Sequence, residues 1–233
     1  MSENIHAGHR ERLKKTILST DIMDKIPDVK LLEMLLFYGI PQKDTAPIAH
    51  ELIKTFGSFS GVLEADIDAL VKIKGITRNA ASLIKLMKPV CREYILSKYD
   101  SKETLKSYDD IGDYILTRYF GVSRENFSLL CLNRLGKIIA FDVLMRGSID
   151  SVGVSTRTVV EQVIKHDAVA VVIAHNHPGG IAVPSAQDIK VTKELASILS
   201  SLSVNLIDHI IVADDDYISM AQSNEFKEIF EKN

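Results

Sequence analysis

Two histidines separated by one residue, His175 and His177, are candidate metal ligands in this chain. Residues i and i+2 of an extended segment face the same side, so both imidazoles can point to one ion. Asp188 follows and supplies a carboxylate. Two imidazoles and one carboxylate suit a borderline divalent cation such as zinc. Three protein ligands leave one position for water, which is typical of catalytic rather than structural zinc sites.

The same residues also have a structural interpretation. A pair of histidines is, on its own, more often part of a loop or a core. Ser185 and Asp188 have the spacing of a capping box, in which both side chains bond backbone N–H groups at a helix start. The block as a whole favours the metal site, because a strand, two histidines, a loop and a Ser/Asp pair follow one another directly.

Three predicted elements would position these side chains. The apolar residues 168–173 predict a buried strand that ends just before the histidines. Prolines and glycines then interrupt regular structure over residues 178–184. Ser185 begins a helix that is predicted to extend to about Leu202, so that Asp188 lies in its first turn.

The string H-N-H-P-G-G, followed by P-S-A-Q-D, resembles the JAMM motif of JAB/MPN metallopeptidase domains, in the form found in the bacterial RadC family. All four motif positions are matched, by His175, His177, Ser185 and Asp188. Gly180 stands where the RadC form commonly has serine, at a position that is not a ligand. The resemblance implies one zinc ion per chain, held by the two histidines and the aspartate.

The resemblance also implies a catalytic mechanism, in which zinc-bound water attacks an amide or isopeptide carbonyl and a glutamate transfers protons. Glu125 occupies the matching position ahead of a strand predicted at residues 127–132, although an exposed residue before a strand is the alternative interpretation. Glu161 is a weaker rival, because it is predicted to lie mid-helix among solvent-facing positions. The Ser185 hydroxyl can cap the helix and can also face the developing oxyanion.

Two further polar residues near the predicted ligands receive other interpretations. Asn176 lies between the two histidines and points to the opposite side if the segment is extended, so we expect it to fix the loop or support the ligands. His209 lies in a strand predicted at residues 204–212. A buried, hydrogen-bonded role is favoured for it over a contact to the ligands or to substrate.

The chain is predicted to have an α+β fold with two domains. Residues 1–100 are predicted to be all helical, and the polar residues 97–106 to be a linker. Asp28 and Ser58 are predicted to begin two of the helices, and the last long helix to end near Leu96. Residues 105–227 alternate strands with helices, which predicts an α/β domain with a mixed sheet. Within it, Ser107 is predicted to cap a helix, a glycine turn to join the first two strands, and Ile164 to face inward on a helix that begins at Ser155. This agrees with the JAB/MPN (cytidine-deaminase-like) fold that the resemblance implies. The opening G-H-R-E-R-L and residues 34–45 also resemble the RadC N-terminal region, so the resemblance covers nearly the whole chain.

Residues 56–97 resemble a helix-hairpin-helix DNA-binding motif. A tight turn at residues 73–77 precedes a long helix, with Thr77 as its N-cap. In that motif, backbone N–H groups of the turn and of the following helix contact a DNA phosphate. The motif usually has a second glycine where Thr77 stands, and a packing or protein-contact role is the alternative. Three cations could add charge at the turn: Lys72, Lys74 and Arg78.

The composition is that of a globular protein, with 46% hydrophobic and 25% charged residues. No apolar run approaches the ~18 residues of a membrane helix, so no membrane partner is expected. The N-terminus is polar without an apolar core segment, which predicts a cytoplasmic protein. Cys91 and Cys131 are the two cysteines, and we interpret them as reduced thiols rather than metal ligands.

Charge is distributed unevenly along the chain, whose net charge is −3. The first 104 residues carry 16 Lys and Arg against 14 Asp and Glu, and the remainder carry 12 against 17. Non-specific binding of DNA phosphates is therefore plausible only for the N-terminal part.

Three functions remain open from the sequence. The leading one is a zinc metallopeptidase that acts on an unknown peptide or protein. The second is a DNA-associated binding or repair-type factor that contacts the DNA backbone through its helical domain. The third uses the same zinc site on a phosphodiester. The sequence does not determine the oligomeric state.

Overall fold

The computed structural model describes residues 5–21, 24–41, 43–99, 104–147 and 155–231. The chain divides into two compact units, Met1–Cys91 and Arg92–Asn233, which are described separately below. Within the described ranges, no helix is long and apolar enough to cross a membrane.

The first unit is helical, as predicted. Its helices are α1 (Ile5–Ser19), α2 (Asp28–Gly39), α3 (Ala46–Phe56), α4 (Phe59–Glu64), α5 (Ile67–Leu70) and α6 (Arg78–Tyr99), the last of which continues into the second unit. Helices α2 to α6 pack around one apolar core, in which Leu32, Leu36, Leu52 and Ile84 are fully buried. The core follows from the apolar stripe that each short helix presents to its neighbours.

The predicted turn between α5 and α6 is present. The Thr77 hydroxyl accepts a hydrogen bond from the Ala80 N–H at 3.2 Å, which confirms Thr77 as the cap of α6. Gly75 has a φ of +100°, and a Cβ there would lie 2.8 Å from the Ile48 Cδ1. Glycine therefore satisfies both the backbone angle and the close packing at this turn. Three cations around the turn are exposed: Lys72, Lys74 and Arg78.

The second unit is a mixed sheet with helices on both faces. Its elements are α7 (Tyr108–Tyr119), β1 (Asn126–Leu132), β2 (Ile138–Arg146), α8 (Thr156–Lys165), β3 (Ala170–Asn176), α9 (Ala186–Ser201), β4 (Asn205–Ala213), β5 (Asp216–Ser219) and a final 3₁₀ helix (Lys227–Ile229). The strand order is β2-β1-β3-β4-β5. Only β3 and β4 pair in parallel among these neighbours, and the other pairs are antiparallel. This confirms the predicted α+β fold with its mixed sheet.

Successive side chains of each central strand enter two different cores, because strand residues alternate between the faces of the sheet. On one face, Phe127, Leu129 and Ile173 pack with residues of α8 and α9. On the other face, Leu130 and Val172 pack with residues of α7. β1 and β3 are buried on both sides, which explains their almost continuous apolar sequence.

Three local predictions were wrong. Asp28 is the first residue of α2 rather than its cap, and it makes no capping hydrogen bond. α6 does not end near Leu96 but continues to Tyr99, since no glycine or proline interrupts it there. Ile164, predicted on the inner face of α8, is 68% exposed because it lies one 100° step beyond the buried Val163.

The predicted linker at residues 97–106 is only partly described. Residues 100–103 lie outside the described ranges. At its end, the Leu105 N–H donates to the Gly136 carbonyl at 2.9 Å, and Thr104 pairs with Lys137. The last residues of the predicted linker thus belong to the second unit, where they bind the turn between β1 and β2.

Candidate metal centre

Strand β3 delivers the two histidines. His175 is the penultimate residue of β3 and is 1% exposed, while His177 follows the strand end and is partly exposed. The His177 N–H donates to the Val212 carbonyl of β4 at 2.8 Å, which continues the parallel pairing beyond the strand. Because the chain stays extended here, both imidazoles lie on the face of the sheet that α9 covers.

Helix α9 supplies the carboxylate through a capping box. The Ser185 hydroxyl accepts from the Asp188 N–H at 3.2 Å, and Asp188 Oδ2 accepts from the Ser185 N–H at 2.7 Å and from its hydroxyl at 2.6 Å. These bonds occupy Oδ2 and leave Oδ1 directed at His175 Nε2, 3.3 Å away. The structural and the metal interpretations of this pair are therefore compatible, since each uses a different carboxylate oxygen.

The structure brings all three predicted ligands together. One potential ligand atom from each of His175, His177 and Asp188 lies within 4.8 Å of the other two. The two Nε2 atoms are 2.9 Å apart, and His177 Nε2 lies 3.9 Å from Asp188 Oδ2. Within the described ranges, this is the one group of three or more His, Cys, Asp or Glu side chains with such convergence.

The donor set fits a cation. His177 Nδ1 lies 3.1 Å from the Ile181 carbonyl, which can only accept, so Nδ1 carries the hydrogen of the neutral ring. His177 Nε2 is then a lone pair that faces His175 and Asp188. Lone pairs and a carboxylate that converge on one point repel one another unless a positive charge lies between them. Two imidazoles and a carboxylate suit zinc and its divalent neighbours.

Two buried groups at the centre have shifted pKa values. Burial alone would raise the pKa of Asp188, but its close contact with the His175 imidazole and its hydrogen bonds from Ser185 hold it well below its usual value. Burial lowers the pKa of His209 far below the usual histidine value, and the neighbouring His175 acts in the same direction. Asp188 is thus kept as a carboxylate and His209 as a neutral imidazole.

His209 lies behind the centre, in β4. Its Nε2 is 2.8 Å from His175 Nδ1, and its Nδ1 is 2.6 Å from the Thr192 hydroxyl of α9. Both interpretations from the sequence are therefore partly right, since His209 is buried and hydrogen-bonded and also contacts a predicted ligand. Thr192 was not predicted. Its position four residues after Asp188, on the same side of the helix, is the signal that could have found it.

Glu125 immediately precedes β1. Its carbonyl accepts from the Gly147 N–H at 2.7 Å, which extends the β1–β2 ladder by one residue. Phe127, two residues on, pairs with His175 and faces the core under α8 and α9. By strand alternation, the half-buried Glu125 side chain lies on the same face of the sheet as the triad.

Asn176 holds the backbone on both sides of Glu125. Its Oδ1 accepts from the Asn126 N–H at 2.8 Å, and its Nδ2 donates to the Arg124 carbonyl at 3.1 Å. The side chain is 4% exposed. The prediction that Asn176 fixes a loop is confirmed, and the segment it fixes is the one that carries the candidate base.

The rival base lies elsewhere. The Glu161 carboxylate accepts from Arg157 at 2.7 Å in an exposed pair along α8. It is not part of the converging triad. Glu125 is also outside that triad, so the case against Glu161 rests on its exposed pairing along α8.

The residues of this centre lie in a region that matches a known protein family. The family model described as RadC-like JAB domain matches residues 105–225, which include all three candidate ligands, Ser185 and Glu125. The chain is also similar to the UPF0758 protein FN0909 of Fusobacterium nucleatum subsp. nucleatum. The two are 34% identical over 229 residues, which cover 95% of this chain and 98% of that protein.

Proposed function

The chain belongs to the RadC family of proteins with a JAB domain, and on this premise we propose that it is a zinc-dependent hydrolase of amide or isopeptide bonds. The observation that carries the proposal is the convergence of His175, His177 and Asp188 on one point. Three ligands held at a strand end and a helix start, with a fourth position left for water or substrate, are the arrangement of a catalytic rather than a structural site.

Each residue has a distinct role in the proposed reaction. A zinc ion, when bound, supplies Lewis acidity that polarises a carbonyl and makes water a stronger nucleophile near neutral pH. Glu125 takes a proton from the attacking water and returns it to the leaving amine. Its position on the triad face, on a backbone held by Asn176, supports this role.

Ser185 has a second role beyond capping α9. In the structure its hydroxyl donates to Asp188 at 2.6 Å. Rotation about the Cα–Cβ bond would turn the same hydroxyl toward an oxyanion on the attacked carbonyl, where one donor is typically worth ~3 kcal/mol.

The experiment that tests this proposal asks which amide or isopeptide bonds the protein hydrolyses. The zinc-loaded protein is incubated with linear peptides and with isopeptide-linked peptide pairs, and newly freed amines are labelled and identified by mass spectrometry. We expect products with the wild type and with His50→Ala, a control for an exposed histidine outside the centre. Glu125→Gln should keep zinc and yield none. Identical product patterns for the wild type and Glu125→Gln would remove Glu125 from the mechanism.

We propose DNA-backbone binding as a second, independent function of the first unit. It is supported by the glycine turn before α6 and by the exposed cations at that turn. The full chain should bind duplex DNA with an affinity that falls steeply with salt. Replacement of Lys72, Lys74 and Arg78 by alanine should weaken binding, whereas Lys54→Ala, at an exposed position on α3, should not.

The same DNA experiment separates binding from cleavage. Binding that is absent even at low salt would contradict the second function. Zinc-dependent breakage of the DNA that is lost in His175→Ala would instead assign the metal centre to phosphodiesters and overturn the amide proposal.

A further inference from the structure

We propose that His209 and Thr192 are positioning residues that leave the Nε2 lone pair of His175 free for the cation. The inference rests on the proposed metal-dependent function and extends it to two residues that make no direct contact with the ion position. It is carried by a chain of three short hydrogen bonds, from α9 through β4 to β3.

The first hydrogen bond sets the donor-to-acceptor direction of the other two. The Thr192 hydroxyl lies 2.6 Å from the Asp188 carbonyl of the preceding helical turn. A carbonyl oxygen can only accept, so the hydroxyl hydrogen points to it. The Thr192 oxygen is thereby left as an acceptor for its other close neighbour, His209 Nδ1.

The remaining two bonds follow from the first. His209 Nδ1 must carry hydrogen to donate to Thr192, at 2.6 Å. A neutral imidazole has one N–H, so His209 Nε2 is a lone pair and accepts from His175 Nδ1 at 2.8 Å. His175 Nε2 is then unprotonated and faces His177 and Asp188. The reverse direction would leave no hydrogen between the Thr192 and Asp188 oxygens.

Burial makes this direction difficult to change. His175 and His209 are 1% exposed, and Thr192 is fully buried. Water therefore does not replace a bond that is lost, and an unpaired polar group here is costly. A neutral imidazole as the partner of His175 also adds no negative charge, so it does not weaken the Lewis acidity of a bound cation as a carboxylate partner would.

The tautomers can be observed without metal or substrate. The metal-free protein, labelled with ¹⁵N-histidine, is examined by long-range ¹H–¹⁵N correlation NMR in buffer alkaline enough to keep the imidazoles neutral. We expect His175 and His209 both to carry hydrogen on Nδ1, which is the minor tautomer of free histidine. Hydrogen on Nε2 of His175 in the wild type would overturn the proposal.

A pair of threonine variants tests the origin of this preference. Thr192→Val keeps the shape of the side chain and removes the hydroxyl, while Thr192→Ser keeps the hydroxyl. The valine variant should bind zinc at least ~10-fold more weakly in chelator competition, the lower end of the effect typical of residues that support metal ligands. It should also move the His175 hydrogen to Nε2. Serine should restore both.

A matched control addresses folding. Thr117 makes the same kind of bond, from its hydroxyl to the Asp113 carbonyl four residues earlier in α7, on the other face of the sheet. Thr117→Val should leave the zinc affinity and the His175 tautomer unchanged. Equal zinc affinity for the wild type, Thr192→Val and Thr192→Ser would overturn the proposal.

Failure of this inference can be told from failure of the proposed function. A wild type with the expected tautomers but no zinc binding would contradict the hydrolase and support the hydrogen-bond chain. If the wild type binds zinc through the triad but its metal-free form carries the His175 hydrogen on Nε2, only the proposed hydrogen-bond direction is contradicted.

Discussion

At the scale of single residues, each candidate ligand uses one polar atom for a structural hydrogen bond and presents another to the position of the ion. Asp188 gives one oxygen to the cap of α9 and directs the other at His175. His177 gives Nδ1 to a loop carbonyl and leaves Nε2 for an ion. A close hydrogen bond at one atom of each ligand fixes the direction of the other, which is how a triad is preorganised.

Asn176 provides a test of how hydrogen bonds position the candidate base. Asn176→Ala removes both hydrogen bonds that hold the backbone around Glu125. Zinc binding should be retained, because the ligands are untouched. Turnover should fall by about 10- to 100-fold through misplacement of the base, and the free energy of unfolding should fall by about 1–3 kcal/mol. Steady-state kinetics and urea unfolding measure the two effects; unchanged turnover would contradict the positioning role.

Asp208 gives a pH-dependent prediction. Burial raises the pKa of this carboxyl above its ordinary value, although hydrogen bonds from Ser219 and from the Ala221 and His209 N–H groups oppose the shift. A raised folded-state pKa means that the folded protein binds the proton more tightly. The contribution of Asp208 to stability is therefore present at low pH and lost as pH rises through the folded-state pKa.

The comparison with Asp208→Asn isolates that contribution, because the acidification that protonates Asp208 also affects other carboxyls. Relative to the variant, the wild type should lose free energy of unfolding as pH rises from the ordinary aspartate pKa to the raised one. Urea unfolding of both proteins over this range measures the difference. A difference that is independent of pH would show that the carboxyl is not perturbed by burial.

The sequence predicts the ligands better than their supports, for a physical reason. His175, His177 and Asp188 lie in one short block, where the i, i+2 spacing and a helix start determine their directions. Thr192 and His209 meet only because α9 packs against β4, and their hydrogen bonds depend on that tertiary contact.

At the scale of elements, the turn before α6 shows what a glycine can contribute. Gly75 combines a positive φ with close packing on Ile48, whereas Gly57, with a φ of +82°, has no atom within 4 Å of its would-be Cβ. Alanine at Gly57 should cost only the backbone strain, about 1–3 kcal/mol. Alanine at Gly75 should cost more, because it also displaces Ile48.

Hydrogen exchange of the first unit measures both variants in the full chain. The protection of α3, α5 and α6 should fall further in Gly75→Ala than in Gly57→Ala. Equal losses would mean that Ile48 adjusts freely and that the turn is specified by its φ angle alone.

Most elements follow from local signals. The caps at Ser58, Ser107 and Thr77, and the glycine turn between β1 and β2, lie where the sequence predicts them. The order of strands in the sheet is different, because it depends on packing between distant segments. The exposure of Ile164 also could not be predicted from local sequence, because an apolar residue one step off the buried stripe of its helix remains exposed.

At the scale of the whole molecule, the candidate metal centre and the helical unit belong to different compact units. The matched RadC-like JAB domain lies entirely within the second unit. Its candidate ligands come from β3, from the residue directly after the end of β3, and from α9. A cation bound there would therefore join those elements in the folded state and be released on unfolding.

This linkage predicts selective stabilisation by zinc. At free zinc about 100-fold above its dissociation constant, the second unit should gain about 2.7 kcal/mol, provided that the unfolded chain binds little metal. Hydrogen exchange with and without zinc should show the gain in β3 and α9 and little change in α2 and α3. His175→Ala should abolish the gain, and a gain confined to the first unit would contradict the assigned site.

The most direct test of the central claim is the zinc content of the purified full-length protein, measured by elemental analysis alongside Glu125→Gln, His175→Ala and Asp188→Asn. The account predicts one zinc per chain in the wild type and in Glu125→Gln, and loss of zinc in the two ligand variants. Stoichiometric zinc in both His175→Ala and Asp188→Asn would contradict it, because the metal would then be held by other residues.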